Sequence, residues 1–135
     1  MPARYLLDTN TVSYILKGIP PRVRQRLARI PMEGISISAI TEAELRFGLA
    51  RRPDAKNLRF AVEEFLLRVD ILSWDSAAAR HYADIRTEIE RAGSPMGNMD
   101  LMIAAQALSA PATLVSSDRS FHRIKRLKIE NWTKP

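Results

Sequence analysis

No cysteine occurs in these 135 residues, and histidine occurs only twice. The first absence excludes a disulfide frame and any zinc site built on thiolates. The second argues against a zinc centre resting on imidazoles. No apolar stretch reaches the length of a membrane span, and the N-terminus lacks the apolar segment of a secretory signal. Together these place the chain in the cytoplasm, with no membrane partner. Internal repeats, low-complexity tracts and linkers are also missing, so the length is read as one compact domain over residues 1–135. What is present is a chain 46% hydrophobic, enough for a substantial core, carrying a net charge of +6. That balance favours an acidic partner such as nucleic acid.

An apolar run, Tyr5-Leu6-Leu7, ends on Asp8 and passes at once into Thr9, Asn10 and Thr11. The pattern predicts a buried strand over 4–7 that delivers a carboxylate to the rim of a sheet, with a helix from about Thr9 to Lys17 stopped by Gly18. Ligands bind at such strand-to-helix junctions in open α/β sheets. Further helices are expected over roughly 21–29, 38–51, 55–68, 76–92 and around 101–108. The last of these is apolar almost all round apart from Gln106, so a central position is expected for it. Strands are expected over 35–37, 69–72, 113–116 and 128–131, the last at an edge. Strands alternating with helices predict a mostly parallel sheet with helices on both faces.

In a parallel sheet each helix starts near the rim that the preceding strand has just left. Asp8 ends the first strand, and Asp118 follows the fourth by two residues. Asp100 stands in the first turn of the helix that feeds the fourth strand. Glu44 lies under two turns into the helix after the second strand, about 40° around from Ile40 at helical pitch, on a face expected to turn inward with Ile40 and Phe47. Parallel topology therefore gathers four carboxylates at one rim. Carboxylates that share a site resist ionising together, and a divalent cation relieves that cost. All-oxygen ligands point to Mg²⁺, with Mn²⁺ a substitute. A metal of this kind activates water and offsets charge on a phosphodiester. Asp8, Glu44, Asp100 and Asp118 are thus the candidate catalytic and metal-binding residues. Thr9, Asn10, Ser38 and Ser116 are candidates to aim them by hydrogen bonds. Arg22, Arg26 and Arg29 fall on one helix face, and Arg119 and Arg123 fall near the site; all five are candidate RNA contacts.

Each of these residues also has an ordinary reading. Asp8 and Asp118 suit helix caps, Asp100 suits the positive end of a helix dipole, and the arginines suit a solvated face. It is the set, and its order, that carries the functional reading.

Leu7-Asp8-Thr9-Asn10, then Glu44-Leu45-Arg46-Phe47-Gly48, then Gly93-Ser94-Pro95-Met96-Gly97 with Asp100 and Ile103-Ala104-Ala105, then Ser116-Ser117-Asp118 with Phe121 and Ile129-Glu130-Asn131-Trp132 follow in sequence. Over almost the whole chain this series resembles the PIN-domain ribonucleases, in particular the VapC toxins of bacterial toxin–antitoxin pairs. The resemblance implies a three-layer α/β/α PIN-like fold with a sheet of four to five strands, and Mg²⁺-dependent endoribonuclease activity. It implies as well a homodimer, a cognate VapB-type antitoxin through which the complex binds DNA, and structured RNA such as a tRNA anticodon loop as substrate. One departure is Ser120, which stands where many relatives carry an acid, leaving Asp118 as the candidate fourth carboxylate. Two rivals remain in view. A haloacid-dehalogenase-like phosphatase would use Asp8 as nucleophile but needs an acid two residues on, where Asn10 stands. A non-catalytic binding module would use the metal only to stabilise the fold.

Overall fold

The computed structural model describes residues 4–135. Five strands form one sheet: β1 (Tyr5–Leu7), β2 (Ile35–Ser38), β3 (Asp70–Leu72), β4 (Thr113–Val115) and β5 (Ile129–Glu130). Their order is β3-β2-β1-β4-β5 and every pairing is parallel. Six helices connect them: α1 (Thr9–Lys17), α2 (Pro21–Ala28), α3 (Ala39–Ala50), α4 (Lys56–Arg68), α5 (Ser76–Arg91) and α6 (Asn98–Ser109). Short 3-10 turns occupy Met32–Gly34 and Arg119–Arg123. Among the described residues no helix is long and apolar enough to cross a membrane.

Successive strand residues point to opposite faces, and this alternation builds two cores. Leu6 and Leu114 face a cluster completed by Ile85 and Ile89 of α5, by Leu101 and Ile103 of α6, and by Phe121. Leu7 and Val115 face the other cluster, with Val12 and Ile15 of α1, Leu49 of α3 and Val62 and Phe65 of α4. Helices therefore cover both faces, as expected, and the sheet is wholly rather than mostly parallel. α6 is the helix buried on most sides. Its Leu101 and the run from Ile103 to Ala107 are all inaccessible, Gln106 included.

Local chemistry fixes where the helices stop and start. Gly18 closes α1 in the left-handed region at φ 73°, and its N–H donates to the Tyr14 carbonyl at 2.8 Å. The positive φ favours glycine there, and a Cβ would also displace the tip of the Arg24 side chain, 2.8 Å away. Pro21 opens α2 at the position where a missing N–H costs nothing.

One expectation fails. Phe47 does not lie on the inner face of α3; it is 62% exposed. The helix instead packs through Thr41, Leu45 and Leu49 at four-residue spacing. Arg51 stacks over the outward Phe47 ring at 4.8 Å. A short helix with few apolar residues supports two plausible stripes, and contact with α1 and α4 selects one of them.

Candidate metal centre

The chain reverses direction across the sheet between β1 and β4. β2 and β3 lie to one side of β1, and β4 and β5 to the other. Crevices form outside the carboxyl ends of strands at such a switch point. Here the crevice is a cavity of about 180 Å³ lined by Asp8, Thr9, Asn10, Glu44, Asp100, Ile103 and Asp118. All four expected carboxylates reach it, from four separate elements.

Asp8 is the most firmly held of the four. Its N–H donates to the Val115 carbonyl at 3.1 Å, which extends the β1–β4 ladder by one residue. Its Oδ1 accepts from the Thr11 N–H at 2.8 Å, so the same side chain caps α1 and lines the cavity. The carboxylate is buried, and burial raises its pKa. Hydrogen bonds from Ser116 and Thr11 work in the opposite direction, and the Asp118 charge adds to the rise. Thr11, which no sequence pattern singles out, also donates from its hydroxyl to the Val115 carbonyl at 3.0 Å. It locks the first turn of α1 against β4.

Glu44 enters from α3 and accepts a 2.5 Å hydrogen bond from the Thr9 hydroxyl. Asp118 follows β4. Its N–H donates to Ser116 Oγ at 3.0 Å, and its Oδ1 accepts from the Ser120 N–H at 2.9 Å. Ser120 therefore contributes its backbone N–H to hold Asp118. Asp100 stands in the first turn of α6 and is half-buried. Burial raises its pKa most, and the charges of Asp118, Asp8 and Glu44 raise it further. The four acids thus share one electrostatic field. Among the described residues no three Asp, Glu or His side chains stand close enough together to make a preformed ligand cluster. The acids ring the cavity, each tied to its own element.

The supporting residues divide. The Thr9 hydroxyl donates to Glu44, and the Ser116 hydroxyl accepts from the Asp118 N–H and lowers the pKa of Asp8. Asn10 lines the cavity and is exposed. Ser38 works one step further back: it caps α3 through the Ile40 N–H and donates to Gln106 Oε1 at 2.9 Å. Gln106 Nε2 in turn donates to the Ser73 carbonyl at 3.2 Å. This buried bridge ties α6, which carries Asp100, to the ends of β2 and β3. A lone glutamine on an otherwise apolar helix was its only signal in the sequence.

The arginines divide too. Arg26 pairs with Glu130 at 2.7 Å and lies over the Trp132 ring. Arg123 donates to the carbonyls of Ser94 and Pro95, so it holds the loop that leads into α6. Arg22, Arg29 and Arg119 are exposed, with no carboxylate partner within 4.0 Å among the described residues. A wider surface cleft, about 520 Å³ between α1, α2 and α4, is mainly apolar and holds none of the four carboxylates.

The donor set suits a hard divalent cation: oxygens only, negative in sum, at the rim of a rigid sheet. Comparison with known proteins agrees with the fold and the pattern. A family model described as PIN domain matches residues 5–127. The chain is 34% identical over 131 residues to a tRNA(fMet)-specific endonuclease VapC of Shigella flexneri, covering 96% of this chain and 98% of the relative. A DNA-bound VapBC structure from Salmonella typhimurium superposes with a TM-score of 0.89 at 35% identity, over 96% of this chain and 98% of that one. VapBC2 of Rickettsia felis, bound to a DNA fragment from its promoter, superposes at 0.86 with 33% identity, over 95% and 98%.

Proposed function

This chain belongs to the PIN domain family, within its VapC branch, and we propose that it is the endoribonuclease toxin of a toxin–antitoxin pair, cutting RNA at the carboxylate cavity with Mg²⁺ as its metal. Mn²⁺ is the expected substitute. The observation that carries this reading is the meeting of Asp8, Glu44, Asp100 and Asp118 in one cavity at the switch point of a parallel sheet. A divalent cation at this cavity would be held by carboxylates drawn from Asp8, Glu44, Asp100 and Asp118, and would supply Lewis acidity toward a phosphodiester.

The chain's own residues prepare the site. Thr11 and Ser116 fix the Asp8 carboxylate and offset the cost of ionising it in a buried place. Thr9 orients Glu44 through one oxygen, and the backbone of Ser120 orients Asp118 through one. Asp100 feels the charge of the other three and has no side-chain donor of its own among the described residues, so a cation relieves it most. The recessed cavity favours single-stranded or looped RNA, whose splayed backbone brings a phosphate to the acids. A tRNA is a candidate substrate, supported by the specificity of the Shigella relative. A VapB-type antitoxin is the proposed partner, binding DNA for the pair, supported by the complexes that related chains form. A homodimer in the cytoplasm completes the proposal.

Asn10 stands two residues after Asp8, where an aspartyl-phosphate enzyme needs an acid, so a phosphatase reading has no support at this cavity. The test is to express the wild type and Asp8→Asn in bacteria, map new RNA 5′ ends, and repeat cleavage with purified protein in Mg²⁺ and in EDTA. The proposal expects cleavage and growth arrest with the wild type alone, and none in EDTA. Equal cleavage by both proteins would remove Asp8 from the chemistry. A melting temperature that falls as far in Asp8→Asn as on metal removal, with no RNA cut by the wild type, would favour a structural metal.

A further inference from the structure

A second cleft opens directly off the carboxylate cavity. It measures about 300 Å³ and shares Thr9, Asn10 and Glu44 with the cavity. It runs between α1 and α3, past Ser13 and Gly48, to Lys17, Arg51 and Arg52. Glu44 lies on α3 and Arg51 is the residue that caps its end, seven positions on, about 10 Å at helical rise. The groove thus begins at acids and ends at three cations. None of the three has a carboxylate within 4.0 Å among the described residues. The exposed Phe47 ring holds the Arg51 guanidinium from one side.

Gly48 is the second observation. Glycine inside a helix costs roughly 0.5–1 kcal/mol relative to alanine. A Cβ there would meet nothing within 4 Å, so close packing does not require glycine. Gly48 lines the groove, so a side chain added there would stand in the groove's open space.

We propose that this groove is the track of the substrate strand, with Lys17, Arg51 and Arg52 receiving a phosphate next along the RNA from the one held at the acids. The proposal rests on the ribonuclease reading above. It names binding residues at the end of α1 and just past the end of α3 in place of the α2 arginines that the sequence suggested.

Binding is read by fluorescence anisotropy with a labelled single-stranded RNA oligonucleotide in Mg²⁺, on the full chain carrying Asp8→Asn so that no cleavage intervenes. Adding Arg51→Ala with Arg52→Ala weakens affinity about tenfold and makes the salt slope shallower by up to about 0.7, the share of one phosphate contact to a single strand. Removing two exposed cations of α5, Arg80→Ala with Arg91→Ala, controls for net charge and weakens affinity less than about threefold. Gly48→Phe fills the groove and loses about tenfold in affinity, while its melting temperature stays at or above that of Gly48→Ala minus a few degrees. In the otherwise native enzyme the Arg51/Arg52 change raises KM and leaves kcat within about twofold.

Affinity within twofold of the parent for both the arginine pair and Gly48→Phe overturns the proposal. That holds also if the arginine pair lowers only the melting temperature, as cations serving helix dipoles would, or if only a protein segment is displaced from the groove. Such a result with cleavage by the wild type intact removes the groove and leaves the ribonuclease. A wild type that neither binds nor cuts RNA removes both.

Discussion

The two rims of the sheet carry opposite charge. At the carboxyl rim four acids line a cavity of about 180 Å³. At the amino rim a pocket of about 350 Å³ is lined by Arg4, Arg126 and Lys128 and by no acid. α6 joins them, with Asp100 in its first turn and Ala107 and Leu108 in the wall of the cationic pocket. Helix dipoles account for part of this polarity, since helix starts favour acids and helix ends favour cations. They explain one acid at each helix start. They do not explain Glu44, which stands in the second turn of α3, nor four acids sharing one field. Polarity of the rims is thus ordinary, and convergence is what distinguishes the site.

Several changes sharpen or break that contrast. The largest effect is expected from Asp100→Asn, which lowers Mg²⁺-dependent RNA cleavage at least about 100-fold, a loss of several kcal/mol of charge stabilisation. Arg4→Ala, at the other rim, changes it less than about twofold in the same assay. Comparable losses in both would mean that the rims act together.

Next comes Thr9→Val, which removes the donor to Glu44. Cleavage drops about tenfold, as for other residues that aim a metal-binding carboxylate. Thr9→Ser restores it. If Thr9→Ser is as poor as Thr9→Val, the hydroxyl is not what matters.

Gln106→Leu acts on stability. It strands the Ser38 hydroxyl and the Ser73 carbonyl, for a cost of about 1–3 kcal/mol by urea unfolding. At the amino rim Arg126→Ala breaks an exposed 3.5 Å pair with Glu88 and costs under about 1 kcal/mol. Equal costs would show that the Gln106 bridge carries little.

The smallest effect is one of pH. Burial, then the charges of Asp118, Asp8 and Glu44, raise the Asp100 pKa above its ordinary 3.8. The folded chain therefore binds that proton more tightly than the unfolded chain. Stability from this group falls as pH rises from about 3.8 through the raised value, and stays lost at neutral pH. Without added divalent cation Asp100→Asn is then more stable than the wild type at pH 7, and its advantage shrinks as the pH falls through the raised value toward 3.8. Thermal melts at several pH values read this directly. A constant difference across pH would contradict it.

Much of the fold was legible because local signals agreed. Tyr5-Leu6-Leu7 before Asp8 marked a strand and its exit, and Gly18 marked the end of α1 in the conformation glycine favours. The spacing of α5 predicts a stripe of Ala78, Tyr82, Ile85 and Ile89; all but Tyr82 are buried, and Tyr82 packs against the same core in part. The four acids were visible from topology alone, since parallel strands bring helix starts to one rim. Phe47 was misread because α3 offers two apolar stripes. Neither Thr11 nor the Gln106 bridge stood out, because a polar residue shows its partner only when chain segments far apart in sequence meet. Position alone suggests Arg26 and Arg123 as RNA contacts, and it does not show that each has a partner within the chain. Whether an arginine meets Glu130 or a loop carbonyl is likewise a long-range matter.

By itself the sequence determined the alternation of strands and helices, the parallel sense of the sheet and the rim to which the acids go. These follow from periodicity, caps and chain connectivity, all of which act over a few residues or through one crossover. Only the tertiary structure decided which carboxylate is held by which donor, which face of α3 turns inward, and that a groove leads from the acids to Arg51 and Arg52. Those depend on distances between segments that the chain brings together only when both cores have closed.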